Sequence, residues 1–133
     1  MYPDLPADQT AARELAAAVF SAVDRQDADV FSQFFTPEGV FVFGNGAEIR
    51  GRDAIRTAVA GFFDAIAGLK HEITDVWNCG NTLITRIAVT YTRLDGSCVT
   101  LPGANIWTLQ GGKIGDYRIY IDLTPLFSPS RQA

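Results

Sequence analysis

From Thr10 onward apolar residues recur at helical spacing: Leu15, Val19 and Val23 stand four apart with Phe20 beside them, and alanines fill the intervals at little entropic cost. The spacing predicts an amphipathic helix over 10–26, preceded by a polar arm over 1–9 that holds two prolines. Asp27-Ala-Asp29 offers a cap for a second, short helix, in which Val30, Phe31, Phe34 and Phe35 keep the i, i+3, i+4 pattern until Pro37. Residues 36–39 (Thr-Pro-Glu-Gly) read as a turn, 40–43 as a brief apolar strand and 44–46 (Gly-Asn-Gly) as a second turn. Gly51-Arg-Asp53 opens a third helix reaching about residue 68, with Ile55, Val59, Phe62, Phe63 and Ile66 on one face.

Beyond Leu69 the composition turns to β-branched and aromatic residues. Four strands are predicted near 70–78, 82–94, 98–109 and 113–123, separated by Cys-Gly-Asn, Asp-Gly and Gln-Gly-Gly turns. They read as an antiparallel meander, and Gly103 beside Pro102 marks the expected bulge or bend. The tail over 124–133 is too rich in proline to extend the sheet. The chain is therefore expected to be one α+β domain over 10–123, three N-terminal helices covering one face of a strongly curved antiparallel sheet and leaving a concave apolar cavity. Strict alternation would put Ile87, Val89 and Tyr91 on the opposite face, an apolar stripe expected to bury against a second copy in a homodimer.

Composition narrows the function. With 133 residues and 47% apolar content, the chain can bury a core without staples. Its net charge of −4 and lack of a basic cluster exclude nucleic-acid and anionic-membrane partners. No apolar run approaches a membrane span of ~20 residues and the first residues lack a signal-peptide pattern, so a cytoplasmic location is expected. Cys79 and Cys98 flank a single predicted strand and are expected to be free thiols, too far apart for a disulfide. One histidine without ligands at zinc spacing predicts no metal site. No P-loop, Rossmann glycine pattern or nucleophile elbow is present, and no cofactor is expected.

The order helix, helix, short strand, helix, four-strand meander resembles the nuclear-transport-factor-2-like superfamily, more closely its SnoaL-like small-molecule branch. The residues that carry the likeness are Phe-Phe-Thr-Pro-Glu-Gly-Val at 34–40, Gly51-Arg-Asp-Ala-Ile55, and Lys113-Ile114 through Tyr120-Ile-Asp122. The resemblance implies a cone-shaped cavity within a cystatin-like α+β barrel. Its members include ketosteroid isomerases, limonene epoxide hydrolases, polyketide cyclases, dehydratases and domains that only bind or dimerise. By register, the steroid-isomerase oxyanion and proton-transfer positions fall at Val19, Ala104 and Phe43, all apolar. The epoxide-hydrolase positions fall at Ala88, Arg86 and Ile119, with Phe41 and Phe43 at the water-holding places, so only Arg86 is retained. Any catalysis here must use a different set.

Three polar residues are candidates for it. The family register points Arg86 into the cone, where it would clamp a ligand oxygen; the alternatives are an ion pair with a neighbouring strand or exposure on the sheet. His71, sharing a strand face with Ile73, Asp75 and Trp77, is either an acid/base or a hydrogen-bonded rim residue. Asn105 either orients a ligand or satisfies a strand irregularity at Gly103. Asp24, at the end of the first helix, either looks into the cone or is solvated at the helix end, and Asp122, on the last strand where many relatives keep an Asp, either reaches the cavity or is a structural group on the face opposite Ile119. Phe20, Phe41, Phe43, Phe62, Trp77, Ala88, Trp107 and Ile119 are expected to wall the cavity, which suits a polyketide-, terpenoid- or steroid-like ligand. Two readings follow: cofactor-free isomerisation, cyclisation or dehydration with His71 as acid/base and Arg86 and Asn105 polarising the substrate oxygen, or a non-catalytic binding or dimerisation module.

Overall fold

A computed structural model describes residues 5–128. In chain order the elements are α1 (Leu5–Asp24), α2 (Ala28–Gln33), β1 (Phe35–Phe43), β2 (Ile49–Arg50), α3 (Arg52–Asp64), β3 (Gly68–Cys79), β4 (Thr82–Thr92), β5 (Cys98–Gln110), β6 (Lys113–Ile121) and α4 (Thr124–Phe127). The strands form one curved, unclosed sheet in the order β2-β1-β6-β5-β4-β3. β3 to β6 are the predicted antiparallel meander, while β1 joins β6 in parallel. The helices pack on the concave face, and the core lies between the layers.

The predicted arm is corrected over its described part. α1 begins at Leu5, because a proline in the first helical turn lacks only an N–H that would have no partner there. Residues 1–4 of the arm lie outside the described residues. Asp27 caps α2 as expected, its carboxylate accepting from the Val30 N–H at 3.0 Å. The predicted turn at 36–39 is instead an irregularity inside β1: Phe35 pairs with Ile114 and Val40 with Asp116, so the segment containing Pro37 is looped out of the ladder. Gly51, at φ +94°, marks the start of α3. The predicted tail also makes structure. Thr124–Phe127 forms one helical turn whose Leu126 is buried, and residues 129–133 lie outside the described residues.

Two features of the sheet decide which side chains face the helices. β4 buries Leu83, Thr85, Ile87, Val89 and Tyr91, the phase opposite to the expected one, and leaves Arg86 and Ala88 on the outer face. The stripe assigned to a second copy is therefore core. The irregularity expected at Gly103 is absent from the β4–β5 ladder, where Ile87 pairs with Gly103 and Ala88 with Pro102 without a break. It lies in β3 instead: Ile73 pairs with Ile87 and Asp75 with Arg86, which bulges Thr74. Leu69, His71 and Ile73 thus face inward before the bulge. Asp75 and Trp77 face outward after it, with Val76 taking the inward place.

Candidate functional site

Between the helices and the concave sheet lies a cavity of about 130 Å³. Phe41 and Phe43 of β1, Val59, Phe62 and Phe63 of α3, and Ile119 and Ile121 of β6 supply much of its apolar wall. Its polar groups are His71, Tyr91, Asn105 and Tyr117. Among the described residues no Asp, Glu, Lys or Arg lines it.

His71 reaches the cavity because the β3 bulge lies beyond it, at Thr74. Its ring is fixed on two sides. Nδ1 lies 2.7 Å from Asp24 Oδ1, and the same carboxylate accepts the His71 backbone N–H at 3.0 and 3.1 Å. Phe20 stacks on the imidazole with centroids 4.6 Å apart and planes 11° apart. The side chains of His71 and Asp24 are only 10% and 20% exposed, so the pair is largely removed from water. In a neutral imidazole a carboxylate beside Nδ1 selects the tautomer that carries its proton there. Asp24, whose helix-end position suggests solvation, instead holds the His71 ring and backbone at the cavity wall. A signal for it existed: an acid in the last turn of a helix sits at the negative end of the dipole, and α1 has no basic residue there to compensate.

Asn105, 1% exposed, also faces the cavity, and its Nδ2 donates to Thr85 Oγ1 at 3.1 Å. The amide is held by the next strand and compensates no break at Gly103. Tyr91 and Tyr117 were missed as site residues. Burial raises both phenols well above their ordinary pKa, and for Tyr117 the neighbouring Tyr91 adds to the rise. Both hydroxyls therefore remain neutral and able to donate. Behind Tyr117 stands Trp107, fully buried, whose Nε1 makes no hydrogen bond of normal geometry. The nearby Tyr117 hydroxyl interacts with it weakly, enough only to oppose the rise of its own pKa.

Of the expected wall, Phe41, Phe43, Phe62 and Ile119 line the cavity. Phe20 and Trp107 are buried and pack against each other at 5.5 Å, a layer behind it. Trp77 and Ala88 lie on the outer face, removed by the bulge and by the phase of β4. Arg86 is there too, its side chain 61% exposed. Its Nε donates to Asp75 Oδ2 at 2.9 Å, and its guanidinium lies over the Trp77 ring. It clamps no ligand in the cavity. Asp122 stays outside as well, its carboxylate held below the usual range by hydrogen bonds from the side chain and backbone N–H of Thr124. Cys79 and Cys98 are free and exposed. Among the described residues no three His, Cys, Asp or Glu side chains gather as a metal site, and no helix is long and apolar enough to cross a membrane.

Helices laid over a six-stranded curved sheet around an internal cavity define the cone class to which cystatin-fold and nuclear-transport-factor-2-like proteins belong. Residues 16–117 match the SnoaL-like domain family, and the chain belongs to it. A nuclear-transport-factor-2-like protein of unknown function from Exiguobacterium sp. 255-15 is 30% identical, with a TM-score of 0.70 over 80% of this chain and 97% of that one. A hypothetical protein of ketosteroid-isomerase-like fold from Catenulispora acidiphila, solved with trimethylamine, superimposes with a TM-score of 0.78 at 19% identity, over 84% and 87% of the two chains. A putative SnoaL-like polyketide cyclase from Jannaschia sp. CCS1 gives 0.76 at 20% identity, over 88% and 89%. No curated protein matches the sequence.

Proposed function

We propose that the cavity binds a small hydrophobic molecule bearing a carbonyl or hydroxyl oxygen, and that the Asp24–His71 pair moves a proton on it in an isomerisation, cyclisation or dehydration. The 2.7 Å contact between Nδ1 and Asp24, at the wall of an otherwise apolar cavity, carries this reading. Nε2 takes a proton from substrate carbon while the carboxylate stabilises the imidazolium that forms. Asn105 and the neutral Tyr91 hydroxyl supply hydrogen bonds to the oxygen on which charge develops. The likeness to a putative polyketide cyclase supports cyclase-type chemistry as an analogy of fold. In this reading the protein works in the cytoplasm without a cofactor, as two copies paired through the outer face of the sheet.

Cyclohexanone in deuterium oxide tests the chemistry, since the ring matches the cavity and exchange of its α-protons follows by NMR. The wild-type protein should accelerate exchange above buffer, and His71→Ala should lose about 100-fold or more of that acceleration. Asp24→Asn should retain binding with reduced exchange. Binding without exchange would establish the non-catalytic module instead, and exchange undiminished in His71→Ala would remove the histidine from the mechanism.

A further inference from the structure

The cavity is small for the ligands its wall suggests. A dry protein cavity of about 150 Å³ accommodates benzene, so about 130 Å³ holds a single six-membered ring. A second depression, a surface groove of about 320 Å³, lies between the Gly44-Asn45-Gly46 turn and α4. Phe43 and Ile121 line both spaces. Phe62 of the cavity wall also meets Phe127 of the groove edge to face, with centroids 6.3 Å apart. The two spaces are therefore neighbours, separated by side chains that belong to both.

α4 is held in place as the far wall of this groove. Arg93 donates from Nε to the Leu126 carbonyl at 3.0 Å and from a terminal nitrogen to the Pro125 carbonyl at 2.8 Å, while Asp122 accepts from the Thr124 N–H at 3.0 Å. Leu126 anchors the turn in the core, which leaves Phe127, 57% exposed, projecting at the groove. An exposed phenylalanine on a tethered turn is an apolar wall awaiting an apolar partner. Among the described residues Asp122 is the one ionisable side chain lining the groove, and its negative charge opposes an anionic occupant.

We infer that the groove bounded by Phe43, Ile121, Leu123 and Phe127 is an outer subsite for the same ligand. The substrate class is an elongated, uncharged molecule: one oxygen-bearing six-membered ring sits by His71, and an apolar chain or second ring passes between Phe43 and Ile121 to lie against Phe127. This rests on the binding reading above and adds the ligand's length and charge to it.

Affinities of cyclohexanone, 4-ethylcyclohexanone and 4-pentylcyclohexanone, by NMR titration, test the subsite. Each methylene beyond ethyl should tighten binding by about twofold to fourfold, the range expected for partial to full burial. Phe127→Ala should abolish most of the gain for the pentyl compound. Because Phe127 also touches Phe62 of the inner wall, the gain is read as the ratio of pentylcyclohexanone to cyclohexanone affinity within each protein. Nuclear Overhauser contacts from the pentyl methyl to the Ile121 and Leu123 methyls would place the chain directly. Equal affinities along the series, or equal weakening of all three ligands in Phe127→Ala, overturn the subsite while leaving the inner site standing. Length-dependent binding without proton exchange keeps the subsite and removes the catalytic reading, and no binding by any of the three overturns both.

Discussion

At the scale of single residues, the cavity's character comes from polar groups held by specific neighbours. His71 is oriented by Asp24, Asn105 by Thr85, and both tyrosines stay protonated because burial disfavours the phenolate. The last point predicts a pH dependence. In the unfolded chain a tyrosine ionises near pH 10, whereas the folded protein keeps Tyr91 and Tyr117 protonated to higher pH. The native state then binds more protons than the unfolded one, so this contribution is complete below about pH 10 and is lost as pH rises further. Urea midpoints measured between pH 8 and 11 should fall more steeply above pH 10 for the wild type than for Tyr91→Phe. Identical slopes would mean that Tyr91 ionises freely in the folded protein. Both His71 and Asn105 were legible as candidates from their chemistry alone, His71 as the one histidine of the sequence and Asn105 as an amide on the strand face shared with Leu101, Gly103 and Trp107. Asp24 was harder to read: its role depends on a contact with a residue 47 positions away.

At the scale of elements, the phase of β4 separates the residues that act inside from those that do not. One alternating set, Leu83, Thr85, Ile87, Val89 and Tyr91, has a single small polar member in its interior run, while the other contains Arg86 and three threonines. Burying the second set would strand a guanidinium at a cost of several kcal/mol, so the residues themselves favoured the observed phase over the family register. The β3 bulge had no comparable signal, because Thr74 is an ordinary strand residue and the slip shows only when Ile73 and Asp75 take consecutive partners on β4. Paired substitutions test the phase. Arg86→Ala removes an exposed ion pair and should cost less than about 1 kcal/mol, with cyclohexanone binding unchanged. Ile87→Ala opens space in the core and should cost about 2–5 kcal/mol. Chemical denaturation of both variants gives the comparison, and a larger loss for Arg86→Ala would reverse the assignment.

At the scale of the whole molecule, the three main helices and the meander with its turns were legible because each follows from a local period or a short turn. The parallel pairing of β1 with β6 was not, since it joins segments more than 70 residues apart, and the cavity's size depends on how side chains meet after folding. The same limit displaced the expected dimer face. The outer surface now carries a row across three strands, Trp77 opposite Ile84 and Ile84 opposite Ile106, followed by Arg118 on β6. Ile84 and Ile106 are half-buried yet do not pack against the core, and Trp77 and Tyr120 are 44% and 54% exposed. In the proposed dimer a two-fold axis sets one copy's Trp77, Ile84 and Ile106 against the other's. Light scattering at micromolar concentration should therefore find a particle of about twice 14.4 kDa. Ile106→Glu, which places a charge at the centre of that contact and touches no core residue, should halve the mass while retaining the helical and strand signals of the folded chain. A wild-type particle of 14.4 kDa would leave the outer row as solvent-facing surface and make the cone, with its Asp24–His71 pair, complete in a single copy.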